Sequence, residues 1–234
     1  MGAHPAFYPG YQPVEESATR KKFEAAWGKG IPTKVGMTAL EMMSAAADGK
    51  LRALYILGED LIGGSLDGPK LRRSLGNCDF VILEGIFESK TSRCADVLLP
   101  GVTFAEKTGT FTSTERRIQM VRQAIAPQDE SRPDWQIITE LAQRIKSNGS
   151  GAEHSGWDYG DTSQIMGEIA MLTPIYAGVS HERLEHLVCL QWPVKNLSHP
   201  GTSILPVENL KGAHGRFVSV EYDGIENNNI GQVQ

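Results

Sequence analysis

Three short apolar runs constrain this chain more than any other feature: Leu51 to Leu57, Phe80 to Leu83 and Ala95 to Leu99. Each is nearly continuous in aliphatic residues instead of alternating with polar ones. That is the pattern of strands covered on both faces, as in a parallel sheet flanked by helices. Pro69 to Leu75, between the first two runs, reads as a short helix. Strand, helix and strand in succession predict an α/β fold built on a parallel, Rossmann-like sheet.

The flanking segments take their places around that sheet. Residues 1–14 carry prolines and aromatics without periodicity and are expected to form an irregular arm that needs a surface to lie against. Glu15 to Trp27 reads as a helix, with Phe23, Ala26 and Trp27 on one face and Gly28 stopping it. Thr38 to Ala47 reads as another, since Thr38 and Glu41 have the spacing of a capping box. Gly109 to Thr112 and Ile118 to Val121 are expected to pair as a hairpin. Pro133 sits in the first turn of a helix whose apolar face holds Trp135, Ile138, Leu141, Ala142 and Ile145. Lys146 to Gly160 turns polar and reads as a surface loop. Ser163 to Leu172 and His181 to Leu187 are helical again, and beyond Gln191 the chain breaks into extended, Pro/Gly-rich pieces. The organisation expected is an arm at 1–14, an α/β cofactor-binding region at 15–150, a helical and extended segment at 151–225, and a disordered tail at 226–234.

Composition excludes several classes of function. A formal net charge of -5 argues against a general nucleic-acid binder, which needs a basic surface to displace counterions. Cys78, Cys94 and Cys189 form no C-x-x-C pair and have no histidine at zinc-finger spacing, so a metal or iron–sulfur site made by this chain alone is not expected. Three reduced, mostly buried thiols are expected instead. No apolar run approaches the length of a membrane span, and the N-terminus lacks a signal-peptide pattern, so the expected setting is cytoplasmic.

The segments that suggest chemistry follow the strands. The first strand ends in Gly58-Glu59-Asp60 and is followed by Gly63-Gly64. Ligands of open parallel sheets sit outside the carboxyl ends of the strands, and glycine lets a phosphate or sugar approach the backbone there. The spacing is not G-x-G-x-x-G, and from these residues alone a plain strand-to-helix turn is the more usual reading. The second strand ends in Glu84-Gly85; a carboxylate there can accept from a ribose hydroxyl or a base edge, or can simply face water. The third runs into Pro100, then Glu106-Lys107-Thr108-Gly109, hydroxyl residues, and the pair Arg116-Arg117. These groups suit a ligand rich in phosphates and heteroatoms, although such arginines are more often solvated. Asp134 opens a helix, where the dipole favours a carboxylate in any case. A carboxylate there could also face the paired N–H donors of a guanine.

Taken together, these segments resemble the molybdopterin oxidoreductase superfamily, in particular its formate dehydrogenase branch. The arm with Tyr8-Pro9-Gly10-Tyr11-Gln12 is similar to the family's "YPGYQ" arm. "RKKFEAAWG", "ALYILGED", "ADVLLP", "FAEKTGTFTSTERRIQ", "RPDWQIITELAQRI", "LTPIYAGVSHERLE" and "LQWP" follow in the family's order across nearly the whole chain. The resemblance implies a region that helps bind one guanosine arm of bis(molybdopterin guanine dinucleotide), which carries molybdenum or tungsten. By motif position it implies cofactor contacts from Gly58, Glu59, Asp60, Glu84, Gly85, Lys107 and Asp134. One departure stands out: the family has "QDIF" where this chain has "EGIF", so a carboxylate is missing at Gly85.

The resemblance also implies that other parts of such an enzyme lie outside these residues. These are the iron–sulfur cysteines, the metal-ligating Cys or selenocysteine, its neighbouring His, the active-site Arg and a C-terminal barrel-like domain. The partners implied are the remaining domains of a formate dehydrogenase catalytic subunit and electron-transfer subunits, with no nucleic acid and no membrane insertion. No residue here is expected to be catalytic, and the chain alone is not expected to oxidise formate. The rival readings are a non-catalytic guanine-nucleotide-binding or assembly module, and a nitrate reductase-like relative, which fits the arm and "QWP" less well.

Overall fold

A computed structural model describes residues 4–65, 67–147, 157–187 and 189–204. The expected tail at 226–234, and the extension from 205 onward, lie outside the described residues.

The arm is more ordered than its sequence suggests. β1 (Phe7–Tyr8) and β2 (Gln12–Pro13) pair antiparallel around a tight turn. Gly10 and Tyr11 take positive φ in that turn, a conformation that glycine adopts without strain. The surface the arm needs comes from α1 (Ser17–Trp27). Tyr8 stacks on Phe23 at 4.8 Å, Phe23 meets Trp27 at 4.7 Å, and Tyr8, Val14, Phe23 and Leu172 close a buried cluster. The apolar stripe of α1 is thus what orders the arm.

α2 (Ala39–Ala47) starts as its sequence predicts. The Thr38 hydroxyl accepts from the Glu41 amide at 3.3 Å, and the Glu41 carboxylate accepts from the Thr38 amide at 2.7 Å. β3 (Ala53–Leu57), α3 (Gly68–Gly76), β4 (Phe80–Gly85) and β5 (Val97–Pro100) follow, with β3, β4 and β5 parallel and in that order in one sheet. Val81, Leu83 and Ile56 pack with Leu75 of α3 and with Ile62. Cys78 and Cys94 join the edge of this cluster as free, half-buried thiols.

The expectation that these strands are covered on both faces does not hold among the described residues. The register pairs Ala53 with Phe80, Tyr55 with Ile82 and Leu57 with Glu84, so these side chains share one face. Ala53, Tyr55, Leu57 and Phe80 on it are exposed. Apolar continuity signals the capacity to be covered, and the covering element need not come from the same stretch of chain.

The rest builds a second, antiparallel sheet. β6 (Gly109–Thr112) and β7 (Arg117–Val121) form the expected hairpin, and β8 (Leu190–Gln191) adds to β7. Residues on either side of position 150 therefore share one sheet. α4 (Asp134–Ser147) begins just after Pro133, whose carbonyl accepts from the Gln136 amide at 2.8 Å. α5 (Thr162–Leu172) and α6 (His181–His186) cover the second sheet, where Ile118, Met166, Val179, Leu184, Leu190 and Val194 are buried together. The stretch after Gln191 docks here through Val194 and Trp192.

Candidate functional site

The carboxyl ends of β3, β4 and β5 open onto one edge of the parallel sheet, and the sequence-predicted residues lie along it. They fall into two groups with different chemistry.

Asp60 forms the first group, three residues beyond β3. Its Oδ1 accepts from the Thr91 hydroxyl at 2.7 Å, the Thr91 amide at 3.1 Å and the Gly63 amide at 3.0 Å. These bonds, the Thr91 hydroxyl first, hold the Asp60 carboxyl below the usual carboxylate range. The fully buried Thr91 also accepts from the Ile62 amide at 3.0 Å. Asp60 therefore ties the loop after β3 to the loop after β4, and Gly63 suits this because a Cβ there would run into the Asp60 carboxylate. Glu59 beside it is exposed. Gly58 takes φ 71° and donates its amide to the Glu84 carbonyl at 2.8 Å. A Cβ at Gly58 would meet open space, so positive φ is the reason for glycine here.

Glu84, Lys107 and Asp134 form the second group. Lys107, just past the short 3-10 turn Phe104–Glu106, reaches Asp134 at the start of α4, with Nζ 2.6 Å from Oδ2. Both side chains are partly open, at 20% and 35% exposure. Gly101 leaves room for this pair, since a Cβ there would stand 3.2 Å from Asp134 Oδ1. Glu84 is only 1% exposed. Its Oε2 accepts from the Tyr55 hydroxyl, and Oε1 is buried with no donor among the described residues. Burial raises the Glu84 carboxyl above the usual range. The Tyr55 hydrogen bond opposes this, Asp134 adds to it, and the Lys107 charge opposes it more weakly. Burial, then the Glu84 carboxyl, push the Tyr55 phenol upward, which keeps it a donor.

Alternation along β4 settles which of the two residues at its end meets this cluster. Glu84 pairs with Leu57 and Leu99, Gly85 with Pro100. They point to opposite faces, so Glu84 is on the side of Asp134, while a Cβ at Gly85 would meet open space. Gly85 borders a cleft of about 550 Å³ shared with Phe87, Arg93 and Leu98. Lys107 borders another of about 430 Å³, with Thr108, Gln123, Ser163 and His181. Tyr55, Thr91 and Gly101 were not legible as site residues. Tyr55 lies within an apolar run, and the other two matter only through what they face.

The paired arginines do not join either group. Arg116, at φ 67°, donates to the carbonyls of Trp192, Thr202 and Ser203, which clamps the segment after β8 onto the second sheet. Arg117 forms an exposed pair with Glu115 at 3.1 Å.

A family model described as molybdopterin oxidoreductase matches residues 16–144, which span both groups. The chain is 43% identical over 196 residues to the "Probable oxidoreductase YjgC" of Bacillus subtilis, covering 83% of this chain and 19% of that protein. It is 36% identical over 224 residues to a formate dehydrogenase subunit alpha of Methanocaldococcus jannaschii, covering 95% of this chain and 32% of that protein. Among solved structures, the acetylene hydratase of Pelobacter acetylenicus matches with a TM-score of 0.52 at 18% identity, over 75% of this chain and 24% of that one. That likeness concerns the fold.

Proposed function

The chain belongs to the molybdopterin oxidoreductase family, and on that premise we propose that it forms part of the catalytic subunit of a formate dehydrogenase. Its role there is to hold one guanosine arm of a bis(molybdopterin guanine dinucleotide) cofactor carrying molybdenum or tungsten. The observation that carries this reading is the Lys107–Asp134 pair set against buried Glu84 at the carboxyl edge of a parallel sheet.

The donor set fits such a group. Asp134 offers a partly open carboxylate to the adjacent N–H donors of a guanine, and Lys107 a cation to phosphate. Gly58 and Gly85 leave the backbone open at two strand ends, where a ribose or phosphate can approach. Glu59, exposed beside Gly58, is placed to accept from a ribose hydroxyl. Asp60 serves the same arm indirectly, by holding the loop that carries these groups. When bound, the cofactor supplies the redox chemistry; the residues here bind it, orient it and set the local charge. The residues that ligate metal, and any iron–sulfur cluster, belong to the remaining domains of the subunit, which are the proposed partners together with electron-transfer subunits.

A nucleotide probe tests this reading. Calorimetric titration of the chain with GDP is expected to show saturable binding, weaker by about tenfold in Asp134→Asn, as loss of one charge-assisted hydrogen bond implies. ADP is expected to bind more weakly, because adenine lacks the paired donors. Equal binding of GDP and ADP, or no binding of either, would refute it.

A further inference from the structure

We propose that Glu84 is carried as a neutral carboxylic acid whose proton, on Oε1, is donated to Asp134, which makes Glu84 the positioning residue for the Asp134 carboxylate. The inference deepens the cofactor-arm reading and rests on it only for what Asp134 contacts.

The argument begins with hydrogen bonds. A carboxylate is acceptor-only, and so is its neighbour if both are ionised. Glu84 Oε2 has a donor in Tyr55, but Oε1 is sealed from solvent and no donor among the described residues reaches it. The Asp134 carboxyl stands on the same face of the sheet, its Oδ1 3.2 Å from the Cβ position of Gly101, which shares the Glu84 side of β5, and it raises the Glu84 carboxyl further. Two neighbouring carboxylates, one of them buried, do not both ionise without electrostatic cost, so such pairs hold a proton between them. One proton on Glu84 Oε1 removes the unpaired acceptor and the repulsion together.

The placement of the proton follows from the surroundings. Three groups act on Glu84: Tyr55 from β3 donates to it, and the charged groups within reach are Asp134 from α4 and Lys107 from the loop before β6. Tyr55 donates and remains neutral. Lys107 is bonded to Asp134 Oδ2 at 2.6 Å, and Asp134 is the more exposed of the two acids. Glu84, at 1% exposure, is the one that pays least by being neutral. The result is a directed chain in which Tyr55 donates to Glu84, Glu84 donates to Asp134, and Lys107 pairs with Asp134 from its other side. Asp134 is then fixed from both sides and aimed at the open edge. Glutamine has the same shape as a protonated glutamate, donating with its amide N–H where the acid donates with O–H.

The test uses the chain as it is, with GDP as the probe. Infrared difference spectra at neutral pH are expected to show a protonated-carboxyl C=O band that disappears in Glu84→Gln. Because the folded-state pKa is raised, the stability tied to this proton is complete below the ordinary glutamate value. It falls away as pH rises through the folded value. Wild type should therefore lose stability and GDP affinity over that rise, while Glu84→Gln should not. Glu84→Ala is expected to bind GDP about tenfold more weakly, and Glu84→Gln to rescue it. Absence of the band, or a Glu84→Gln variant with the same pH slope as wild type, would overturn the proposal. If Glu84→Ala does not fold, the band and the Glu84→Gln slope still decide it. If wild type binds no GDP, the cofactor-arm reading fails, and the infrared and stability results judge the proton by themselves.

Discussion

Asp60 and Glu84 are acids beyond and within the ends of neighbouring strands, and the fold puts them to opposite uses. Asp60 has three donors on one oxygen and is held charged; Glu84 is buried beside a second acid and is pushed towards neutrality. Their contributions to stability therefore run in opposite directions with pH. The folded-state pKa of Asp60 is depressed, so its contribution is present above the unfolded value and lost as pH falls through the folded one. Asp60→Asn should be less stable than wild type at neutral pH, and the gap should narrow as acid protonates the native residue. Urea midpoints measured from neutral to acidic pH check this; a gap that stays constant would mean that the charge of Asp60 contributes nothing. The sequence placed both acids near the sheet edge but could not rank their environments. Burial and donor count depend on Thr91, Tyr55 and Asp134, which arrive from another loop, another strand and the start of α4.

At the scale of elements, local rules served well wherever the controlling contacts are local. The α2 capping box, the β6–β7 hairpin and the order of β3, α3 and β4 were all legible, because each depends on residues a few positions apart. The segment after β8 was not. Its extended, Pro/Gly-rich pieces show no local partner in sequence, yet its carbonyls at Trp192, Thr202 and Ser203 are collected by the Arg116 guanidinium. Gln191 also receives the Thr202 amide at 2.7 Å. Hydrogen bonds to a charged donor are worth roughly 1.5–3 kcal/mol. Arg116→Ala should therefore cost about 2 kcal/mol or more and release protection at the Thr202 amide in hydrogen exchange. Unchanged exchange there would show that apolar packing of Val194 and Trp192 suffices to hold the segment.

At the scale of the whole molecule, α1 and the arm connect regions far apart in sequence. Lys22 donates to the Leu172 carbonyl at 2.8 Å, and Gln12 to the same carbonyl at 3.1 Å. Trp27 donates to Glu168 at 2.7 Å. The arm is thus pinned to the end of α5 as well as to α1. Phe23, fully buried, is the centre of this junction. Phe23→Ala should cost about 3–5 kcal/mol, the usual range for truncating a buried aromatic. It should also expose the Val14 amide, which bonds to the Ala6 carbonyl at 3.0 Å. Chemical denaturation and hydrogen exchange measure the two effects. A loss of stability with the Val14 amide still protected would mean that the arm folds independently of α1. The described residues contain no helix long and apolar enough to cross a membrane.

The sequence by itself determined the kinds of element and their order, because strand, helix, cap and turn preferences are set by near neighbours along the chain. It also placed Lys107 in a loop and Asp134 at a helix start, both of which follow from local spacing. Only the tertiary structure decided which acids meet. Lys107 and Asp134 are 27 residues apart, Tyr55 and Glu84 are 29 apart, and their contacts exist because parallel pairing brings the ends of β3, β4 and β5 to one edge. The same pairing fixed the face to which Glu84 points, and with it the burial that makes its proton a structural part of the site. Side-chain direction on a strand follows register, and register is a property of two strands, not one.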